Sequence, residues 1–177
     1  MTLDVLPGIQ EVQDAVPRVQ PHLHRTPLVA SRTLSELTGF DIWLKCENLQ
    51  KTGSFKPRGA LNRLATLTPE QRNAGVITIS AGNNAQGMAF AAHVMGVHAV
   101  LVMPENAVAS KVAATRGYGA EVVLHGDVHA AFERLEQLHR ERGLTLIHPF
   151  DDSMLIAGHG TLGLELCDQL DNIDAVV

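Results

Sequence analysis

From position 73 onward the chain alternates short apolar runs with longer stretches whose apolar residues recur at helical spacing. The runs at 76–80, 99–103, 121–124 and 144–147 read as buried strands, and the stretches near 85–95, 107–116 and 128–142 as helices. Asp127 is placed to cap the last helix and Gly143 to end it. Strands joined by helices of this length make parallel βαβ units with right-handed crossovers. The prediction is an α/β fold with an open parallel sheet and helices on its faces.

The earlier part of the chain is less regular. Residues 3–23 have a rough helical rhythm that Pro7, Pro17 and Pro21 are expected to break into short pieces. Thr26, Pro27 and Leu28 read as extended, and 31–37 as a short helix capped by Ser31 and stopped by Gly39. In 42–47, Ile42, Leu44 and Cys46 alternate with Trp43, Lys45 and Glu47, which predicts a strand with one buried face. Trp43 is expected to pack rather than to act.

Composition narrows the partners. The chain has 177 residues, 45% of them hydrophobic, enough for one sizeable core or for one domain and part of another. A net charge of −5 without a basic cluster argues against nucleic acid and anionic membrane. Asp4, Glu11 and Asp14 interrupt the start where a secretory signal needs a basic residue and an apolar run, and no stretch approaches a membrane span. Cys46 and Cys167 lie outside any paired motif and read as buried free thiols in a reducing compartment, so the expected location is cytoplasmic. His22 and His24 fit a loop better than a metal site, His125 and His129 are expected to meet water, and no metal is expected. The charges between Glu133 and Arg142 form a solvated helix face, and Asp151 and Asp152 a turn and helix start.

Two stretches carry chemistry. In KTGSFKPRGA, 51–60, Pro57 suits a first helical position, which makes Lys56 the expected N-cap. The positive end of the helix dipole lowers the pKa of an amine there and favours the neutral form that condenses with an aldehyde. Phe55 beside it offers a flat apolar face. On these residues alone an ordinary solvated lysine is the simpler reading. In SAGNNAQG, 80–87, the small residues Ser80, Ala81 and Gly82 leave a strand, so that backbone N–H groups and a helix start can hold an anion such as a carboxylate. Asn83 and Asn84 can contribute to that site or merely cap the helix.

The combination decides between these readings. Lys45, Glu47, Asn48 and Gln50, followed by TGSFKPRGA and SAGNNAQG, resemble the fold type II pyridoxal phosphate enzymes, and among them the catabolic threonine (serine) dehydratases. RTPL at 25–28, MPENA at 103–107, YGAEVVLHG at 118–126, HPFDD at 148–152 and IAGHGTLGLEL at 156–166 extend the resemblance over nearly the whole chain. It implies a tryptophan synthase beta-like fold: 1–70 would begin a large domain that carries the cofactor lysine, 71–152 would form the small α/β domain, and 153–177 would return to the large one. It implies pyridoxal phosphate as cofactor, bound by Lys56, Phe55 and Asn83, with Asn83 bonding the cofactor's phenolic oxygen. Ser80, Ala81, Gly82 and Asn84 would bind substrate. Lys56 would then be the catalytic residue, removing the Cα proton of L-threonine or L-serine so that the β-hydroxyl leaves, with 2-oxobutanoate or pyruvate and ammonia as products.

Three positions depart from the family. Serine racemases of this type usually have serine where this chain has Ala81, so the second face of the cofactor lacks a proton donor and elimination is favoured over inversion. Asn84 replaces a usual histidine, and His159 a common glutamine. Residues 174–177 read as a strand opening that would lead, in the family, to a glycine-rich phosphate loop. The chain is thus expected to be an N-terminal portion of a homo-oligomeric enzyme, with an unpaired sheet edge and poor solubility alone. The alternatives are a serine racemase-like enzyme and a non-catalytic module that binds a carboxylate or a partner subunit.

Overall fold

The computed structural model describes residues 6–177. Helix α1 (Ile9–Val19) begins after Gly8, whose N–H donates to the Glu11 carboxylate at 2.9 Å, and it buries Ala15 and Val19. The first three positions of the expected rhythm, 3–5, lie outside the described residues. Pro17, expected to break this stretch, lies inside the last turn of α1, which runs on to Val19. Only Pro21 diverts the chain, into the 3-10 turn Gln20–His22.

Strand β1 (Leu28–Ala30) pairs antiparallel with β2 (Trp43–Lys45), and α2 (Arg32–Thr38) lies between them in sequence. Ser31 caps α2 by accepting from the Leu34 N–H, and Gly39 ends it at φ 76°. The strand expected over 42–47 is therefore only three residues long, and it has no buried apolar face. Leu44 is 44% exposed and Trp43, predicted to pack, 42% exposed, whereas Lys45 and Glu47 point inward. Buried ion pairs, described below, override the apolar alternation.

Helix α3 (Lys56–Ala65) follows, then α4 (Pro69–Ala74), a short helix that the apolar pattern did not announce although Thr68 and Gln71 form a reciprocal cap. Next come β3 (Val76–Ile79), α5 (Asn83–Met95), β4 (Ala99–Met103), α6 (Ala109–Gly117), β5 (Glu121–Leu124), α7 (Val128–Arg142), β6 (Thr145–Leu146) and α8 (Ser153–Gln169). The four strands form one parallel sheet in the order β5-β4-β3-β6, the predicted α/β architecture. Helix α7 has the expected bounds, with the Asp127 carboxylate accepting from the Ala130 N–H at 2.9 Å and Gly143 at φ 64°. Strand β6 is shorter than expected because it pairs only with Val76 and Ile77.

Period-two alternation divides the sheet between two cores. Val76, Leu101 and Met103 face α3 and α5, joining Ala60, Leu61, Leu64, Met88 and Leu155. Ile77, Ile79, Val100 and Val102 face α7, joining Ala131, Leu135 and Leu138. Helix α3 is wedged between α5 and α8, and glycines permit both contacts. A Cβ on Gly87 would fall 2.9 Å from the Lys56 carbonyl carbon, and one on Gly158 would fall 2.5 Å from the Arg58 carbonyl oxygen.

Two expectations fail at the surface. Cys167 is exposed and Cys46 only half-buried, because α8 turns Glu165 rather than Cys167 inward. Residues 174–177 form no strand and are exposed, having no neighbouring strand to pair with. Exposed apolar surface is present as expected, around Val29, Leu37, Phe40 and Leu49. Among the described residues no helix is long and apolar enough to cross a membrane.

Candidate active site

Helix α3 starts one residue earlier than the sequence suggested. Phe55 is the N-cap, so Lys56 is the first helical residue and Pro57 the second, where a missing N–H is still harmless. The dipole argument for Lys56 survives this shift. Burial pushes the Lys56 amine below the ordinary lysine value. Its Nζ lies 5.0 Å from the Phe55 ring centroid, a contact that favours the ammonium but does not reverse the direction set by burial.

The second loop meets the first, since Gly87 packs directly on the Lys56 backbone. Ser80 Oγ accepts from the Gly82 N–H at 3.2 Å, and Gly82 is the N-cap of α5. Neither asparagine caps that helix. Asn83 Oδ1 accepts from Lys111 Nζ at 2.7 Å near the surface, and Ala81 is exposed. Asn84 is buried with both amide atoms unpartnered, and so is Gln86 Nε2. Thr52 Oγ1 and Ser54 Oγ, in the loop before Lys56, are also buried without partners. An unpaired buried polar group costs about 1–3 kcal/mol, and a cluster of them marks a place where something polar is missing. An amine biased toward neutrality, an aromatic face and unpaired amides fit a planar aldehyde with polar substituents.

Sequence reasoning missed the charges beneath this site. The Arg58 guanidinium, 1% exposed, donates to Glu47 from Nε at 2.9 Å and to Glu165 from Nη1 at 2.8 Å. Its Nη2 donates to both carboxylates, at 2.8 and 3.0 Å. Lys45 Nζ adds bonds to Glu165 at 2.7 Å, Gln169 at 2.7 Å and the Thr26 carbonyl at 2.8 Å. Burial opposes charge on Arg58, but hydrogen bonds and the charges of Glu47 and Glu165 outweigh it and hold the guanidinium above its usual value. Burial likewise opposes the Glu165 carboxylate, and Arg58 and Lys45 reverse it and hold the carboxyl low. The available signal was Lys45 and Glu47 on one strand face and Glu165 four residues before Gln169.

His159, which the sequence left without a role, lies beside this lysine. Its ring meets Phe55 edge to face with centroids 4.9 Å apart. Burial, helped by the Lys56 and Arg58 charges, lowers its pKa from 6.5 to about 4, and its Nε2 has no partner. His125 and His129 are exposed, as expected. Among the described residues, no three or more His, Cys, Asp or Glu gather where they could hold a metal ion.

Comparison with known proteins agrees with this geometry. The chain is 45% identical over 170 residues to the L-threonine ammonia-lyase of Thermotoga maritima, covering 96% of this chain and 42% of that protein. It is similar to the crystal structure of a threonine deaminase from T.th., with 49% identity, a TM-score of 0.84, and coverage of 92% of this chain and 52% of that one. It is also similar to maize serine racemase, with 38% identity, a TM-score of 0.89, and coverage of 94% and 51%. The chain thus spans about half the length of the relatives it matches. The model of one family, described as pyridoxal-phosphate dependent enzymes, matches residues 19–177. The chain therefore belongs to the pyridoxal-phosphate dependent enzyme family.

Proposed function

We propose that this chain is the lysine-bearing part of an ammonia-lyase that dehydrates and deaminates L-threonine, and L-serine, to 2-oxobutanoate or pyruvate and ammonia. The observation that carries the reading is the Lys56 amine, lowered in pKa and packed against a loop whose buried Asn84 and Gln86 amides are unpaired. The names of the similar ammonia-lyase and deaminase support the choice of substrate.

Pyridoxal phosphate, when bound, supplies an aldehyde for an amine and a ring that disperses negative charge. Lys56, in its neutral form, would hold the cofactor and would be the base that accepts the Cα proton of the substrate. Phe55 would pack beside the cofactor, and the Asn83 amide NH2 would be its donor to the phenolic oxygen, since the amide oxygen is held by Lys111. The N–H groups around Ser80, Ala81 and Gly82, with the Asn84 amide, hold the substrate carboxylate at the positive end of α5. Ala81 offers no hydroxyl to return a proton from the opposite side, which favours elimination over the inversion catalysed by a serine racemase. In this reading 1–70 and 153–177 belong to a large domain and 71–152 to a small one, supported by a parallel sheet confined to the middle stretch. The exposed apolar residues near Phe40 support a homo-oligomer, and the unpaired thiols a cytoplasmic setting.

The test is borohydride reduction after incubation with pyridoxal phosphate, peptide mapping, and assay of the full-length protein for 2-oxobutanoate from L-threonine and for D-serine from L-serine. Modification confined to Lys56 with 2-oxobutanoate release is expected. Scattered modification without turnover would favour a non-catalytic module, and D-serine as main product would favour a racemase.

A further inference from the structure

His159 projects from α8 toward the start of α3, and three features there depend on one another. Its ring stands at 73° to that of Phe55 with centroids 4.9 Å apart. The Phe55 ring in turn lies 5.0 Å from Lys56 Nζ. Gly59, one turn beyond Phe55, makes room for the imidazole: a Cβ there would fall 2.5 Å from His159 Nε2. Phe55 itself is a partly exposed N-cap whose side chain makes no cap hydrogen bond, so little else in its own segment fixes the ring.

We propose that His159 is a positioning residue for Lys56: its ring, edge-on to Phe55, fixes the aromatic face against which the Lys56 amine is presented. The proposal rests on the reading of Lys56 as the reactive amine. The charged groups facing the imidazole are the Lys56 amine and the Arg58 guanidinium of α3, while α5 presents Gly87 to Lys56 and brings no charge. Burial keeps the imidazole neutral at physiological pH, and any charge on Lys56 and that on Arg58 act in the same direction, so it braces Phe55 without adding a positive charge of its own. A flexible side chain at 159 would fill the space but would give Phe55 no ring edge. An aromatic edge-to-face contact is specific in geometry as well as attractive, which is what aiming a neighbouring amine requires.

The experiment needs no cofactor. Reductive methylation of the full chain with formaldehyde and cyanoborohydride, followed by peptide mass spectrometry from neutral to alkaline pH, gives the relative reactivity and apparent pKa of Lys56, with exposed Lys51 as internal reference. His159→Gln and Phe55→Leu are each expected to change the Lys56 rate about twofold to tenfold relative to Lys51, the range of one aromatic contact. The double variant should go no further than the larger single effect, because both changes remove one contact. Unchanged Lys56 reactivity in a natively folded His159→Gln chain, or additive effects in the double variant, would overturn the proposal. Should His159→Gln disturb folding, Phe55→Leu at the partly exposed cap decides alone: an unaltered Lys56 profile there also overturns it. Because formaldehyde replaces the cofactor, absent turnover in the enzyme assay would count against the ammonia-lyase reading and leave this result untouched.

Discussion

Two neighbouring clusters of polar groups differ in one respect. Around Arg58, every charge is answered: two carboxylates, a guanidinium and an ammonium share hydrogen bonds of 2.7–3.0 Å, with Thr26 and Gln169 taking up what remains. Around Lys56, two residues away, Asn84, Gln86, Thr52, Ser54 and His159 keep buried atoms without partners. A chain that folds so as to saturate one cluster and not the other separates scaffold from site. The first ties α3 to β2 and α8, and the second is the one we assign to a ligand.

The largest effect is expected where the saturated cluster loses its centre. Arg58→Met removes the shared donor and leaves Glu47 and Glu165 buried and unanswered, for which a loss of about 3–5 kcal/mol is expected. Urea unfolding of the two chains measures it. If the midpoint hardly moved, the carboxylates would be finding water, and the cluster would not be scaffold.

Acid is expected to act next, through His159. Its folded-state pKa of about 4 lies below the ordinary 6.5, so the unfolded chain takes the proton first. The stability present above the unfolded value is therefore lost as pH falls toward 4, by about 3 kcal/mol for a shift of this size. Thermal melts of the wild type and His159→Gln across that window should show a shallower acid slope in the variant. Parallel slopes would mean that another group carries the acid dependence.

Asn84→Leu should have the opposite sign from Arg58→Met, and so separates the clusters most cleanly. Replacing an unpaired buried amide with an apolar group of similar size is expected to raise the stability of the cofactor-free chain by about 1–2 kcal/mol. Carboxylate binding at the loop should weaken in the same variant, read by titration with L-serine of the cofactor-loaded protein. A destabilised Asn84→Leu chain would show that the amide is structural after all.

The sequence made these two clusters unequally legible. The candidate site is legible in KTGSFKPRGA and SAGNNAQG because glycine, proline and a lysine at a helix start carry local conformational meaning, and the parallel sheet is legible in period-two and helical alternation. The bounds of α7 followed from Asp127 and Gly143 for the same local reason. The saturated cluster was hidden because Lys45, Glu47, Arg58 and Glu165 come from three separate stretches, and no local rule predicts burial of a charge whose partner is over a hundred residues away. That is also why the apolar alternation of β2 does not show that Lys45 is buried and Leu44 exposed. His159 was opaque for a similar reason: its meaning lies in Gly59 and Phe55, on another helix.

The smallest expected effect tests Asn83, whose amide already has a side-chain partner. Lys111 Nζ holds its amide oxygen at 2.7 Å close to the surface. Removing such an exposed contact in Lys111→Ala should change stability by no more than ~0.5 kcal/mol, since water replaces the lost donor. Yet fixing the oxygen also fixes where the amide NH2 points, and a freely rotating amide presents its donor to a bound ring for only part of the time. Titration with pyridoxal phosphate, followed by absorbance, should therefore show binding weakened by about twofold to fivefold in Lys111→Ala. Equal affinities would mean that Asn83 orients itself without help, and that pairing near Lys56 matters only where the atoms are buried.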